Sequence, residues 1–395
     1  MTKKVVFITY WPFNVRDAYR FDLSPFTKYG INYEYWDISL ITDYEYHQKY
    51  IQSNDDELEI SNYYTFNFVE EVLLRISQCQ KIFVIMFPPL EEKYIWLYKY
   101  ITEYKIEYCY MYINCIPFIK DISLKRLVKN ALTIILKPFF LFSHSRSSHN
   151  VTKGPKLLIL GGEKSKESIH KYLIKKKIPT LWAHNNDYDQ YLKEKINENN
   201  NFNKDKYIVF LDEFFPFHSD LIYYKNIGKI NADVYYNSLC DFFYKLENYT
   251  GYKVIIAAHP SSYYPKMQKN YFGGREVIKN NTLELVKNSE LVVCHSSTSV
   301  SFANLFEKSI LFIAMNEIIN MSKLHSKCIL VFSKYFGKKY IYIDKIKNFD
   351  KIKNNLFLHS KKKYLRYRND FIKKSGTSEK FIFDILAEYL INNNS

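Results

Sequence analysis

Glycine is scarce in this chain of 395 residues, at 10, and proline hardly commoner at 11. That excludes collagen-like repetition and a Pro/Gly-rich disordered polymer. The 6 cysteines, Cys79, Cys109, Cys115, Cys240, Cys294 and Cys328, make no CxxC pair and no zinc-ligand spacing. Neither a disulfide framework nor a structural zinc follows; reduced, buried thiols of a cytoplasmic protein are the expectation. No apolar stretch reaches the ~20 residues of a membrane-spanning helix. The opening run, residues 5–10, meets Trp11-Pro12 without the cleavage site of a signal peptide. Also missing are GxxxxGKS/T, a GxGxxG after the first apolar run, HExxH and GxSxG. P-loop, dinucleotide-fingerprint, zinc-protease and serine-hydrolase readings therefore have no support. Asp187-Tyr188-Asp189 has the DxD spacing of metal-dependent glycosyl transfer but stands in HNNDYDQYL, where an interdomain role is expected. No metal and no cofactor are anticipated.

What is present is the composition of a folded protein, 47% hydrophobic and 25% charged, long enough for two domains of nearly two hundred residues. Tyr (37) and Phe (30) are abundant alongside Lys, Ile and Asn, a bias that AT-rich coding produces, so the rings are not read as a stacking surface. The 56 basic against 41 acidic residues leave +15, which favours nucleotides, phosphates or anionic lipid as partners.

Residues 5–10 (VVFITY) read as a buried parallel strand, 16–29 as a partly helical stretch stopped by Gly30, and 32–38 (NYEYWDI) as a second strand. Helices over 68–79 and 91–104 lead into strands at 81–87 and 106–113; 156–160 (KLLIL), a helix at 166–175 and 179–183 (PTLWA) continue the rhythm. Residues 124–142 combine Lys125, Arg126, Lys129 and Lys137 with an apolar run, a pattern shared by helices on anionic membranes and by helices that cover their own domain. The Asn-rich 197–206 is the expected linker. Beyond it, 207–211, 253–257, 291–294, 310–314 and 340–343 are short apolar runs separated by helical stretches, the pattern of a second parallel sheet. The domains are therefore drawn as 1–200, on the acceptor side, and 205–360, on the donor side, with 361–395 packing across both.

In such sheets ligands collect at the carboxyl ends of strands, and the first three strands of the second half each end in a polar cluster. Asp212-Glu213, with Pro216, His218 and Asp220 behind, can supply a general base or merely cap a turn. His259-Pro260-Ser261-Ser262 projects a histidine that can bind phosphate or protonate a leaving group. His295-Ser296-Ser297-Thr298-Ser299 offers hydroxyls and free amides before a helix, an anion site by composition. Gly273-Gly274-Arg275-Glu276 is either a phosphate contact through Arg275 or a surface turn.

Two Rossmann-like halves with His-Pro and then Ser-Ser-Thr at successive strand ends resemble the GT-B glycosyltransferases that use CMP-activated acidic sugars, the bacterial sialyltransferases and polysialyltransferases. That resemblance implies an α/β fold, GT-B, with two doubly wound Rossmann-like domains facing a central cleft. It implies that Asp212, or Glu213, deprotonates the acceptor. His259 and Pro260 would meet the departing CMP phosphate, and Ser296, Ser297, Thr298 and Arg275 would hold the donor. The reaction implied is metal-independent displacement with inversion, moving a nonulosonic acid or Kdo to a glycan or glycolipid in surface-polysaccharide synthesis. One departure is plain: the acidic motif of that group ends in Gly, and here Phe214 follows Asp212-Glu213.

The stretch YWPFNVRDAYRF is similar to the opening of bacterial surface-polysaccharide proteins. Arg16, Asp17 and Arg20, together with Asp187 and Asp189, are therefore candidate acceptor contacts. The donor alternatives are a UDP- or GDP-sugar, with Glu307 or Glu317 on the ribose, or a CDP-polyol. A different class is a non-catalytic protein binding anionic polymer; nucleic acid is not expected, because no basic cluster is interleaved with aromatics on a recognisable motif. The protein is expected in the cytoplasm, with 124–142 either a helix covering its own domain or a contact with the inner face of the membrane.

Overall fold

The computed structural model describes residues 4–13, 15–53, 62–79, 81–117, 154–169, 171–196, 206–218, 228–267, 269–346, 349 and 356–393. The basic segment 124–142, the linker but for its last residue, and Asp220 lie outside them. The chain forms two compact units. The first takes the described residues up to Cys115, those from 154 to Leu192 and those from Asp370 onward; the second takes the remainder, up to Asn369.

The first unit is a seven-stranded parallel sheet of β1 (Lys4–Thr9), β2 (Asn32–Asp37), β3 (Tyr63–Thr65), β4 (Ile82–Met86), β5 (Glu107–Tyr112), β6 (Leu157–Leu160) and β7 (Thr180–Trp182), in the order β3-β2-β1-β4-β5-β6-β7. Successive side chains leave a strand on opposite faces. Val5 and Phe7 of β1 join one core with Phe83, Cys109 and Leu157, while Val6 and Ile8 join another with Val84, Trp36 and Tyr110. Both faces are covered, which is why the sequence runs are continuous rather than alternating.

The cover of the first core includes the helix Ile382–Asn392, whose Phe383, Leu386 and Leu390 are buried there. The end of the chain is thus shared: Tyr364 and Tyr367 of helix Lys361–Tyr367 pack on Phe336 in the second unit, with ring centroids 5.1 and 4.5 Å away, before the last helix returns to the first. Gly162 makes the return possible, since a Cβ there would stand 2.3 Å from the backbone oxygen of Asp370.

The second unit is a parallel sheet of β8 (Tyr207–Leu211), β9 (Lys253–Ala258), β10 (Val277–Lys279), β11 (Leu291–Cys294), β12 (Ser309–Ala314) and β13 (Ile341–Tyr342), ordered β10-β9-β8-β11-β12-β13. The winding runs outward from β8 to β10, then comes back to β11 on the other side of β8. The carboxyl ends of β8 and β11 therefore flank the point where strand order reverses, the usual ligand crevice of such sheets. Helix Ala232–Thr250 covers one face. Asn231 caps it by accepting from the amides of Asp233 and Val234, and Gly251 ends it at φ 75°, while Tyr235, Tyr236, Leu239, Phe242, Phe243 and Leu246 are its buried stripe. Burying each such side chain contributes roughly 1.5–3 kcal/mol.

Two three-residue strands, β3 and β10, escape the sequence reading; their residues are half-buried or exposed rather than a buried apolar run. Among the described residues no helix is long and apolar enough to cross a membrane.

Candidate functional site

The carboxyl ends of β9, β8 and β11, three neighbours in the sheet, bring His259, Asp212-Glu213 and Ser296 together. Asp212 follows the wholly buried β8 and is itself buried. Its Oδ2 accepts from the Tyr264 hydroxyl at 2.8 Å and from the His259 amide at 3.4 Å, and its Oδ1 from the Phe214 amide at 3.0 Å. The Tyr264 hydroxyl is in turn 2.8 Å from that of Tyr236. Burial pushes the carboxyl up to about 6, the hydrogen bonds working against it. Buried and with both oxygens engaged, Asp212 fastens the His-Pro turn to β8.

Phe214 sits at φ 51°. A side chain in that left-handed region costs about 1–2 kcal/mol, so the conformation of this position is one that glycine adopts freely. Phe214 thus occupies a turn of glycine geometry. Here packing holds it: the ring is buried, edge-on to Tyr263 and Tyr264 at 5.2 and 5.1 Å.

His259 is half-buried. Its Nδ1 accepts from the Ser261 amide at 3.1 Å, so in the neutral ring the proton is on Nε2, which makes Nε2 a donor. Its ring lies 4.9 Å from that of His218. Pro260 follows in the turn closed by the Ser262 amide on the His259 carbonyl at 2.8 Å.

Glu213 reaches across to β11. Its Oε1 accepts from the amides of Ser296 at 2.7 Å and His295 at 3.2 Å, and its Oε2 from the Ser296 hydroxyl at 3.2 Å. Burial raises its carboxyl to about 7, with the charge of Asp212 adding to the effect. The anion site expected from free amides is corrected accordingly: two of those amides already hold the chain's own carboxylate. The helix behind, Val300–Leu305, is also only six residues long. Ser297 and Thr298 are half-buried at the same strand end, the Ser297 hydroxyl accepting from the Ser299 amide at 3.3 Å and the Thr298 carbonyl from the Ser301 hydroxyl at 3.2 Å. His295 is fully buried, 2.9 Å through Nδ1 from the Ile313 carbonyl and 3.1 Å through Nε2 from the Tyr235 hydroxyl, and burial lowers it to about 4. It is a neutral structural histidine.

Arg275 does not join this group. It forms a fork with Glu247, Nη2 to Oε2 at 2.6 Å and Nε to Oε1 at 3.0 Å. Glu247 also accepts from the Val254 amide at the start of β9, and five strand residues at ~3.3 Å each separate that edge from His259. Of the ribose candidates, Glu317 accepts from the Asn231 amide at 2.8 Å, and Glu307 is exposed at φ 53°.

In the first unit, Arg16, Asp17 and Arg20 lie on helix Val15–Arg20. Asp17 accepts from the Trp11 indole at 3.0 Å, and the buried Nε of Arg20 has no hydrogen-bond partner. The side chain of Arg16 is outside the description. Asp187 and Asp189 open helix Asn186–Ile196. Asp189 is buried and accepts from the amide of Ile382 at 3.1 Å, with His184 Nε2 3.3 Å away. It ties the last helix down at its N-terminus, where a carboxylate is favoured. Asp187 is half-buried beside it. Sequence reasoning missed Tyr264 and Tyr236: among 37 tyrosines, none is marked by its neighbours as a carboxylate partner.

No protein-family model matches the chain, and no curated protein does. Solved structures do. One is a co-structure of S. aureus MnaA with UDP, 12% identical, with a TM-score of 0.51, covering 100% of this chain and 96% of that one. Another is a UDP-N-acetylglucosamine 2-epimerase, 10% identical, TM-score 0.51, covering 100% and 97%. A glycosyltransferase of kitacinnamycin is 8% identical with a TM-score of 0.48, covering 99% of each chain. The first two similarities establish the fold: α/β, of the GT-B type, with two doubly wound Rossmann-like halves.

Proposed function

We propose that this chain is a sugar-nucleotide enzyme, a glycosyltransferase whose donor sits at the carboxyl edge of β9, β8 and β11. The observation that carries the reading is the convergence of His259, Glu213 and Ser296 on three adjacent strand ends at the reversal of strand order. The CMP-linked acidic sugar rests on the motifs alone. The UDP-sugar alternative has the added support that one protein of this fold was solved with UDP and another is named for a UDP-sugar, so UDP is the nucleotide we favour.

In this reading the Nε2 proton of His259 is donated to a phosphate oxygen, stabilising the charge that grows as the sugar–phosphate bond breaks. The hydroxyls of Ser296, Ser297 and Thr298 line the same edge. Glu213, half-buried where Asp212 is buried and held near 7, has the proton affinity suited to a base at neutral pH, and its Oε2, which also accepts from the Ser296 hydroxyl, takes the proton of the attacking acceptor hydroxyl. Asp212 acts through His259 as a positioning residue. The acceptor is a glycan or lipid-linked glycan.

Titration calorimetry with UDP, GDP, CDP and CMP tests the reading. Binding of UDP that weakens about tenfold or more in His259→Ala supports it; selective binding of CMP returns the acidic-sugar donor, and no binding of any nucleotide sinks the reading. A second reading, epimerisation of a UDP-sugar, follows from the names of the similar structures. It separates cleanly, because an epimerase converts UDP-N-acetylglucosamine with no acceptor present.

A further inference from the structure

Arg20 is the only arginine with a described side chain that finds no partner in the protein. Arg75 pairs with Glu34 and Arg275 with Glu247, Arg366 lies over the Tyr335 ring, and Arg368 bonds the Asn304 and Leu305 carbonyls. Arg20 is half-buried; its Nε is closed off from solvent, whereas its two terminal nitrogens, equally unpartnered, are open to it. A guanidinium cannot escape burial by losing its proton, and a charge withdrawn from water without a counter-charge is costly. The carboxylates nearest to it in the chain are turned elsewhere: Asp17 accepts from the Trp11 indole at 3.0 Å and Asp22 from the Ser24 amide at 3.0 Å.

Asp17 and Arg20 share a face of helix Val15–Arg20, and Asp17 fixes where that face lies. It holds Trp11, just past the end of β1, whose ring meets that of Phe87, the first residue after β4, edge-on at 5.2 Å. Phe21, directly after Arg20, meets the same Phe87 ring at 5.4 Å. Strands β1 and β4 are neighbours, and between them the strand order reverses: the chain winds outward from β1 to β3 and comes back to β4 on the other side of β1. Arg20 thus stands by the carboxyl-end crevice of the first sheet, where such sheets take ligands. We infer that Arg20 is an anion-binding residue there, pairing through its two open nitrogens with a carboxylate or phosphate carried by the acceptor, so that the acceptor is an acidic or phosphorylated glycan and not a neutral one. The fork of a guanidinium matches either oxyanion. Calling the ligand the acceptor rests on the glycosyltransferase reading; the anion site rests on the first unit alone.

The test titrates glucuronic acid, glucose 6-phosphate and glucose calorimetrically into the wild type, Arg20→Lys and Arg20→Met, with UDP as a separate ligand and thermal melts of each protein. The wild type is expected to bind at least one of the two acids about tenfold or more tightly than glucose, and which acid it prefers separates carboxylate from phosphate. Arg20→Met keeps the apolar stem and removes an uncompensated charge, so it is expected to melt no lower than the wild type, to lose the preference for the acid, and to bind UDP within about twofold of the wild type. Arg20→Lys keeps the charge without the fork and retains part of the preference. If the wild type binds the acids no better than glucose, if both variants keep the full preference, or if UDP affinity falls in place of acid affinity, the anion site is wrong. Acid binding that depends on Arg20 in a wild type that binds no nucleotide leaves the anion site standing while the glycosyltransferase reading falls.

Discussion

Glu213 and Asp212 are adjacent carboxylates whose positions in the fold assign them different work. Both accept three hydrogen bonds, but Asp212 is buried, whereas Glu213 is half-buried and bridges two strand ends with a carboxyl held at about 7. A carboxyl raised above its unfolded value favours the folded state while protonated, and that advantage is lost as pH rises through the folded value. For Glu213 the window runs from about 4.5 to about 7. Glu213→Gln keeps an acceptor for the Ser296 and His295 amides but does not ionise. Its melting temperature relative to wild type should therefore be higher at pH 8 than at pH 5, by an amount on the order of 2–3 kcal/mol in stability, as thermal melts at the two pH values would show; transfer activity should fall at both. The same difference measured across pH cancels the opposite contribution of the buried His295 and His325. His259 and the serines were legible as strand-end groups, since a buried apolar run ending in polar residues marks a sheet edge. That Glu213 would occupy the amides of His295 and Ser296 was not: residues 82 or 83 positions apart meet only because β11 pairs with β8.

At the scale of elements, apolar runs of β-branched and aromatic residues located nearly every strand to within a residue or two, because both faces of each sheet are covered. What the runs did not disclose is which neighbour each strand takes. Arg275 illustrates the consequence. Its sequence, with two glycines before it, suits a phosphate contact, yet the register of β10 against β9, Val277 opposite Ile256, carries it to the amino edge. Arg275→Lys should accordingly leave nucleotide affinity within about twofold while lowering stability by about 1–2 kcal/mol through loss of the two-pronged pairing with Glu247. Calorimetry and denaturant unfolding read the two effects separately. Gly162 is a matching case for backbone approach: Gly162→Ala places a Cβ against the Asp370 carbonyl, and a loss of roughly 2 kcal/mol or more is expected on denaturant unfolding.

Across the molecule, the last segment belongs to both units in turn. The division falls at Asn369/Asp370, after Arg368 has bonded the Asn304 and Leu305 carbonyls at 3.0 and 3.5 Å. Beyond it, Ile382, Phe383, Leu386 and Leu390 complete a core of the first unit. Deleting 370–395 should therefore unprotect β1, β4 and β5 in hydrogen exchange while β8, β9 and β11 keep their protection. Equal loss in both sheets would contradict this assignment of the segment.

The sequence by itself determined the class of the fold, the approximate strands and the polar strand ends, because these follow from local patterns: continuous apolar runs, helical spacing and punctuation by polar residues. Tertiary structure decided which strand ends are neighbours, that Asp212 is a clamp and Glu213 a bridge, that Arg275 and Asp189 are held by partners within their own units, and that His325 comes to lie against Phe215. Those outcomes depend on strand order and on contacts between residues far apart in the chain, and neither is encoded in the spacing of any single segment.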